Sequence, residues 1–450
     1  MTYTSPAVVI DNGSHTTKAG FALDDLPSLV FNSNYVVDSN SKVQVGDKQV
    51  DESPESDIMT FMENGLIYNF DSIVHNWQYV YDNIDNNNAI NAKEFPLMLT
   101  EQPWNTSKNK LATTQIAFET LEVPIFSLVK TPLSQLYHMG RSTGLVVDIG
   151  SSVASVTPIL DGIIQSKSSF HSKYAGDFAN LHALRFLESN VSIDNLIPMK
   201  FQSTRMSQSF KDYQISYNIL QDFKSSMLNV CEIPAGQSTN ALNPKNYQLP
   251  NKSHIGISRE QINLLENLFQ PGFSPLLNLA IPEVNFNKPA TNGLSSLVLL
   301  ALKNLESSFI PNNEPMNTTN VNSRYTKFNE ILRELLSNIL ITGGSSLTTG
   351  LSQRVINDIY KSAHQFFPNY IFTQPGRLVL GTLGNYQQND INEVWDKKFG
   401  SWLGACNLAS MLNDNDNQES NGINIALDNW FVTKSDYEEL GEDLILEKFK

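Results

Sequence analysis

The sequence predicts an α/β protein built of two similar halves, and three short stretches carry that expectation. In AVVIDNGSHTTKAGF (residues 7–21) an apolar strand breaks on Asp11-Asn12-Gly13-Ser14, passes His15 and resumes through Lys18. In STGLVVDIGSSVASVTPILDGII (142–164) the theme recurs, with a strand ending in Asp148-Ile149-Gly150-Ser151-Ser152 and two further strands behind it. In NILITGGSSLTTG (338–350) a strand runs into Gly343-Gly344-Ser345 and then into a helix carrying Leu351, Val355 and Ile359. The two strand–Asp–x–Gly turns stand about 137 residues apart, a repeat of theme rather than of sequence. Such a turn offers several backbone N–H groups to an anion, and glycine lets a phosphate come close. An aspartate at the strand end can order the waters around Mg²⁺. A lysine adds a point charge for the outer phosphates.

Between these turns the elements follow in a regular order. After AVVID and AGFAL come the short strands VVD and VQVGD, separated only by Asp38 to Lys42, and then a Pro/Ser/Asp-rich break. Ile73, Trp77, Val80 and Tyr81 share one face at helical spacing and predict a helix over 71–81. PLMLTE (96–101) reads as a buried strand, 112–119 as a helix, PIFSLV as a strand and 133–139 as a helix. Three Asn-rich stretches, 82–92, 311–323 and 412–421, read as surface loops or disordered inserts. Trp77, Trp104 and Trp402 read as core aromatics.

Composition excludes several functions. With 46 acidic and 31 basic residues the formal net charge is −15, and no basic stripe of the kind a duplex-DNA binder uses is present. The acidity favours protein partners. The two cysteines, Cys231 and Cys406, lack metal or redox spacing and fit a reducing compartment. No basic n-region precedes an apolar stretch at the start, and no apolar run approaches the roughly 18 residues of a membrane span. The expectation is a soluble intracellular protein.

The motifs together resemble the actin superfamily. IDNGSHTTKAGFALDDLP is similar to actin's first phosphate loop, and the likeness continues through NGLIYNFDSIVHNWQYVYD, FPLMLTEQPWNTSKNKLATTQIAFETLEVP and LSQLYHMGRSTGLVVDIG. It resumes at NYQLPNKSHIGISREQINLLENLFQPGF, ITGGSSLTTGLSQRV, FGSWLGACNLASM and NWFVTKSDYEEL, so it covers most of residues 7–440. The resemblance implies an actin-like ATPase fold, with two α/β domains around a nucleotide cleft and four subdomains. Their expected bounds are 1–32, 61–138 and 400–450 for the first, 33–60 for the second, 139–174 and 276–399 for the third, and 175–275 for the fourth.

The departures from actin bear on activity. His15 stands where actin has glycine, and Ser151-Ser152 replace the second Asp-Gly of its second loop. Ser155 matches a family histidine that handles the attacking water, and Lys130 matches the glutamine that positions it. An ammonium there would repel Mg²⁺ or stand in for its charge. On the adenosine side Lys224 and Gly343-Gly344 match family residues, while Ser225 and Thr348 replace a glutamate and a tyrosine. The resemblance therefore leaves ATP binding open through Asp11, Lys18, Asp148, Gly150, Lys224 and Gly344, leaves Mg²⁺ open, and argues against hydrolysis.

NGSH, SKYAGDF, DFKSSML and the terminal W-x-x-x-K-x-D-Y-E are most like the fungal actin-related protein seven subfamily, which is nuclear. That resemblance implies a subunit of SWI/SNF or RSC chromatin remodellers. It would pair with a second actin-related protein on the helicase/SANT-associated helix of the remodeller ATPase and support transcription regulation. It implies no sequence-specific DNA binding and no membrane, and nuclear entry with a partner. Tyr137, Gly140, Leu347, Trp430 and Phe431 are the expected lining of a groove for that helix. The alternatives are a weak actin-type ATPase and a filament-forming cytoskeletal relative. The short 38–42 connection and the large inserts speak against head-to-tail stacking.

Overall fold

The computed structural model describes residues 5–38, 40–237, 243–276, 279–310, 319–384, 386, 390–413 and 426–450. These fall into two compact units, one of residues 1–142 and 391–450, the other of residues 143–390. Most of the Asn-rich 311–323 and 412–421 stretches lie outside the described residues. The third, 82–92, is an ordered turn: Asn86 and Asn87 adopt positive φ, and Ile90 N–H returns to Tyr81 O at 2.9 Å. Among the described residues no helix is long and apolar enough to cross a membrane.

The first unit is built on a six-stranded sheet in the order Val432–Thr433, Ile125–Lys130, Leu97–Glu101, Val8–Asn12, Thr16–Phe21, Leu29–Asn32. Three of these strands, 8–12, 97–101 and 125–130, run parallel, so their C-terminal ends share one edge. Such an edge is where open α/β sheets bind ligands. One face of the sheet is covered by the helix Phe70–Asn83, whose Ile73, Trp77, Val80 and Tyr81 are buried as the spacing predicts. The helix read over 112–119 begins earlier, at Ser107. Thr106 Oγ1 caps it by accepting from Asn109 N–H, and its last turn is a π-helix over Ile116–Thr120.

The other face is covered by the helix Ile391–Ala409. Trp402 is fully buried and its indole N–H donates to Val9 O at 3.0 Å. A side chain on Gly404 would sit 1.9 Å from Ser134 O, so glycine sets the close approach of this helix to Thr131–His138.

The second unit holds a five-stranded sheet in which Gly144–Ile149 lies between its antiparallel neighbour Ala154–Leu160 and the parallel strand Ile339–Thr342. Leu145, Val147, Ile149, Ala154 and Val156 point into the large core, which leaves Asp148 and Ser155 on the opposite face. The helices Gly176–Asn190, Leu294–Phe309 and Leu351–Phe366 supply the apolar residues of that core.

Candidate functional site

The 11–18 turn closes through Gly13 N–H to Thr16 O at 3.1 Å. Register pairs Asp11 with Lys18 across the hairpin, and Lys18 Nζ reaches Asp11 Oδ2 at 3.0 Å. Thr100, at the end of the next parallel strand, donates to Asp11 Oδ1 at 2.5 Å. Burial works against the Asp11 carboxylate, but the Lys18 ammonium and hydrogen bonds from Thr100, Lys18 and Ser401 outweigh it and hold its pKa below the ordinary carboxylate range. A Cβ at Gly13 would lie 2.9 Å from Lys18 Nζ, so the ammonium tucks against this glycine.

Asn12 serves the turn from beneath. Its Oδ1 accepts from Trp77 Nε1 at 2.9 Å, and its Nδ2 donates to Asn76 Oδ1 at 2.9 Å and to Thr17 Oγ1 at 3.2 Å. This network fixes the strand end, so Asn12 positions the turn. Ser14 and His15 form its tip, where His15 O accepts from Ser33 N–H at 2.9 Å.

Lys130 corrects a simple expectation. It is not a bare charge at the strand end: its ammonium is bound to Glu101 Oε1 on the neighbouring strand, the residue directly opposite in register. Glu101 Oε2 also accepts from Asn105 at 2.7 Å, and Lys110 Nζ lies 3.9 Å from Oε1. Lys110 donates to Phe449 O, and burial, with the nearby Lys130 charge, pulls its pKa down to about 8 against the pull of Glu101. Three lysines and two carboxylates thus share one end of this sheet. Sequence reasoning missed Thr100 and Glu101; their signal was a strand, PLMLTE, that ends in polar residues.

In the second unit Asp148 lies opposite Ser155 and beside Thr342 in register. The 150–152 turn closes through Gly150 N–H to Val153 O at 3.0 Å. It is braced by the start of the 176–190 helix. Gly176 N–H donates to Gly150 O at 3.1 Å, Asp177 N–H donates to Ser151 O at 2.7 Å, and Ser151 Oγ donates to Asp177 Oδ1 at 2.7 Å. Ser345 Oγ donates to Gly150 O at 2.8 Å.

Gly343 has φ +89°, and a side chain there would strike Asp148 Oδ1 at 2.4 Å and Ile149 O at 2.5 Å. Lys224 Nζ donates to Gly176 O at 3.3 Å, and burial lowers its pKa to about 8 despite Asp177. Gly150, Ser151, Lys224 and Ser345 therefore gather around the start of the 176–190 helix at Gly176, a residue that sequence reasoning passed over. Asp148 lies against Gly343 beside them, and Ser152 and Gly344 adjoin in the chain.

The expected groove residues divide. Tyr137 and Trp430 stack edge to face, with ring centroids 6.0 Å apart, and Trp430 O accepts from Ser127 Oγ at 2.6 Å. Both rings are half-buried. Gly140 has φ +67° and open space around it. Phe431, by contrast, is 1 % exposed within the core that holds Trp402, because Val432–Thr433 joins the sheet edge and carries its neighbour inward. It cannot line a groove without leaving that core. Leu347 belongs to the second unit, at the end of the short Gly344–Leu347 turn.

The family model described as Actin matches residues 2–312 and 319–450. The chain belongs to the actin family. This actin-family chain is 28 % identical over 462 residues to actin-related protein 4 of Yarrowia lipolytica, covering 90 % of this chain and 98 % of that one. It is 26 % identical to actin-related protein 7 of Saccharomyces cerevisiae, covering 98 % of both chains. To the SWI/SNF and RSC complexes subunit arp42 of Schizosaccharomyces pombe it is 27 % identical, covering 98 % of this chain and 97 % of that one.

The actin fold implies a nucleotide with Mg²⁺. Each turn, taken by itself, suits a phosphate group: it is built of small residues, braced, and has a half-buried lysine near it. The carboxylates of the first unit fit the metal poorly, since Asp11 is neutralised by Lys18 and Glu101 by Lys130. Among the described residues no group of three or more His, Cys, Asp or Glu could hold a metal ion.

Proposed function

We propose that this actin-family chain is a non-catalytic subunit of a SWI/SNF- or RSC-type chromatin remodelling complex, most like actin-related protein seven. In this reading it works in the nucleus, pairs with a second actin-related protein on the helicase/SANT-associated helix of the remodeller ATPase, and helps couple that motor to nucleosome remodelling and transcription. Its four subdomains follow the bounds expected from the sequence. It binds ATP at the 11–18 turn without hydrolysing it. Tyr137, Gly140 and Trp430 receive the apolar side of an amphipathic helix.

The observation that carries the non-catalytic reading is the Lys130–Glu101 pair. By the resemblance Lys130 stands where the family's glutamine orients the attacking water, and an ammonium tied to Glu101 offers that water no acceptor. Support for the assembly comes from end-to-end similarity to arp42, whose name places it in SWI/SNF and RSC complexes. Affinity purification of the tagged chain from nuclear extract should recover a remodeller ATPase together with another actin-related protein. Recovery of neither would remove the assembly reading.

One observation favours a second reading, a slow actin-type ATPase. Register places His171 directly across from Ser155, which is itself across from Asp148. Residues directly opposite in an antiparallel ladder share a face. A histidine therefore returns to this row from the neighbouring strand, and burial lowers its pKa, which favours the neutral ring. In a single-turnover assay with Mg·ATP, phosphate release at the rate of the buffer blank is expected. Faster release that His171→Ala and Asp148→Ala both abolish would establish the ATPase instead.

A further inference from the structure

We infer that a nucleotide's phosphate chain held at the 11–18 turn is neutralised by the protein's own ammonium groups and requires no divalent cation. The inference rests on the nucleotide reading above and concerns only how the charge at that site is balanced.

Three ammonium groups, Lys18, Lys110 and Lys130, gather at the C-terminal end of the first unit's parallel strands with two carboxylates, Asp11 and Glu101. The formal sum is one positive charge before any ligand arrives. Mg²⁺ at a phosphate site is normally held through one or two carboxylates and keeps several waters. Both carboxylates on this edge already have a lysine. Asp11 gives Oδ2 to Lys18 and Oδ1 to Thr100, and Glu101 gives Oε1 to Lys130 and Oε2 to Asn105. Recruiting either to the metal's hydration shell would set a divalent cation beside an ammonium that the carboxylate already holds, and the two positive charges repel. An approaching anion meets the opposite situation. It can share the ammonium groups without displacing them, since each ammonium has three donors.

The positions argue the same way. Thr100 and Glu101 are consecutive, and so are Val129 and Lys130 across the ladder. Asp11's partner and Lys130's partner are thus neighbours on one strand end. A small cavity of about 30 Å³ is lined by both of these neighbours, Thr100 and Glu101, with Asn12 and Thr131 among others. Lys18 and Lys130 therefore flank the same strand-end edge, one from each face of the sheet.

The test uses the full-length protein, ATP as the probe, and equilibrium binding in Mg²⁺ and in EDTA. The dissociation constants are expected to agree within about threefold, with a steeper salt dependence in EDTA, where ATP carries more charge. ATP that binds more than tenfold more weakly in EDTA would overturn the inference and leave the nucleotide reading standing. Absence of binding in both conditions would remove both. Lys130→Gln is expected to make binding metal-dependent, losing tenfold or more in EDTA and recovering in Mg²⁺. Lys130→Arg should keep the parent's indifference to metal. Should Lys130→Gln unfold, the comparison on the parent protein still decides.

Discussion

Replacing Arg354 with alanine is expected to destabilise the second unit by about 3–5 kcal/mol, the cost of breaking a buried ion pair from one side. Arg354 is 1 % exposed, and its guanidinium is fully engaged. Nη1 and Nη2 donate to the two oxygens of Glu266 at 2.9 and 2.8 Å, and Nε donates to Asp358 at 2.9 Å. The Phe269 ring lies beneath it, 4.6 Å from the guanidinium carbon. Glu266 in turn accepts from Ala235 N–H at 3.0 Å, so the triad ties the 235 loop to two helices.

Alanine would leave Glu266, 2 % exposed, charged and without its cation. In a unit of this size the loss corresponds to a fall in unfolding temperature on the order of 10 °C. Arg354→Met with Glu266→Gln, which removes both charges, should recover part of the loss, since uncharged replacements of such networks are often tolerated. A calorimetric scan of the second unit's transition measures both. An Arg354→Ala protein as stable as the parent would show that the triad holds nothing together.

Lys18→Ala is expected to weaken ATP binding by roughly 10- to 150-fold, the span that corresponds to losing one charge-assisted hydrogen bond of about 1.5–3 kcal/mol. Two effects act together: the phosphates lose a donor, and Asp11 becomes a buried carboxylate without its counter-charge. Lys18→Arg should not rescue binding, because the ammonium already lies 2.9 Å from where a Cβ on Gly13 would stand, and a planar guanidinium is larger.

The pH profile separates the two effects. Asp11 is depressed in the folded state, so its contribution to stability is fully present above the unfolded value near 4 and disappears as pH falls through the folded value. In Lys18→Ala that depression shrinks, so Asp11 has less stability to lose on acidification and the loss is complete at higher pH. Fluorescence-detected nucleotide titration and acid unfolding measure the two. Unchanged ATP affinity with an altered acid transition would confine Lys18 to holding Asp11.

Much of the architecture was legible because it is written in local patterns. The strand–turn–strand units around Asp11 and Asp148 and the apolar face of the 70–83 helix need only neighbours within a few residues. What escaped depends on register between distant segments. Glu101 and Lys130 are 29 residues apart and meet only because strands 97–101 and 125–130 run parallel with these two residues paired. Gly176 and Ser345 meet at Gly150 O for the same kind of reason. Phe431 escapes a sequence reading because the polar residues on either side of Trp430–Val432 conceal a two-residue strand that joins the sheet edge at Ile125 and Phe126. The 107–120 helix was misplaced at its start, although Thr106 carries a legible capping signal.

The first unit takes its sheet and coverings from both sides of the second, which is one unbroken run of chain. During synthesis the strand Val8–Asn12 leaves the ribosome some 390 residues before Trp402, whose indole bonds Val9 O. The second unit can close on itself in the meantime. The first must wait, with Val9 and Met98 lacking the aromatic roof that buries them, until the Ile391–Ala409 helix arrives. A nascent chain halted near residue 390 would therefore present a finished second unit and an open apolar face on the first. That face is the surface on which a folding chaperone would be expected to hold it.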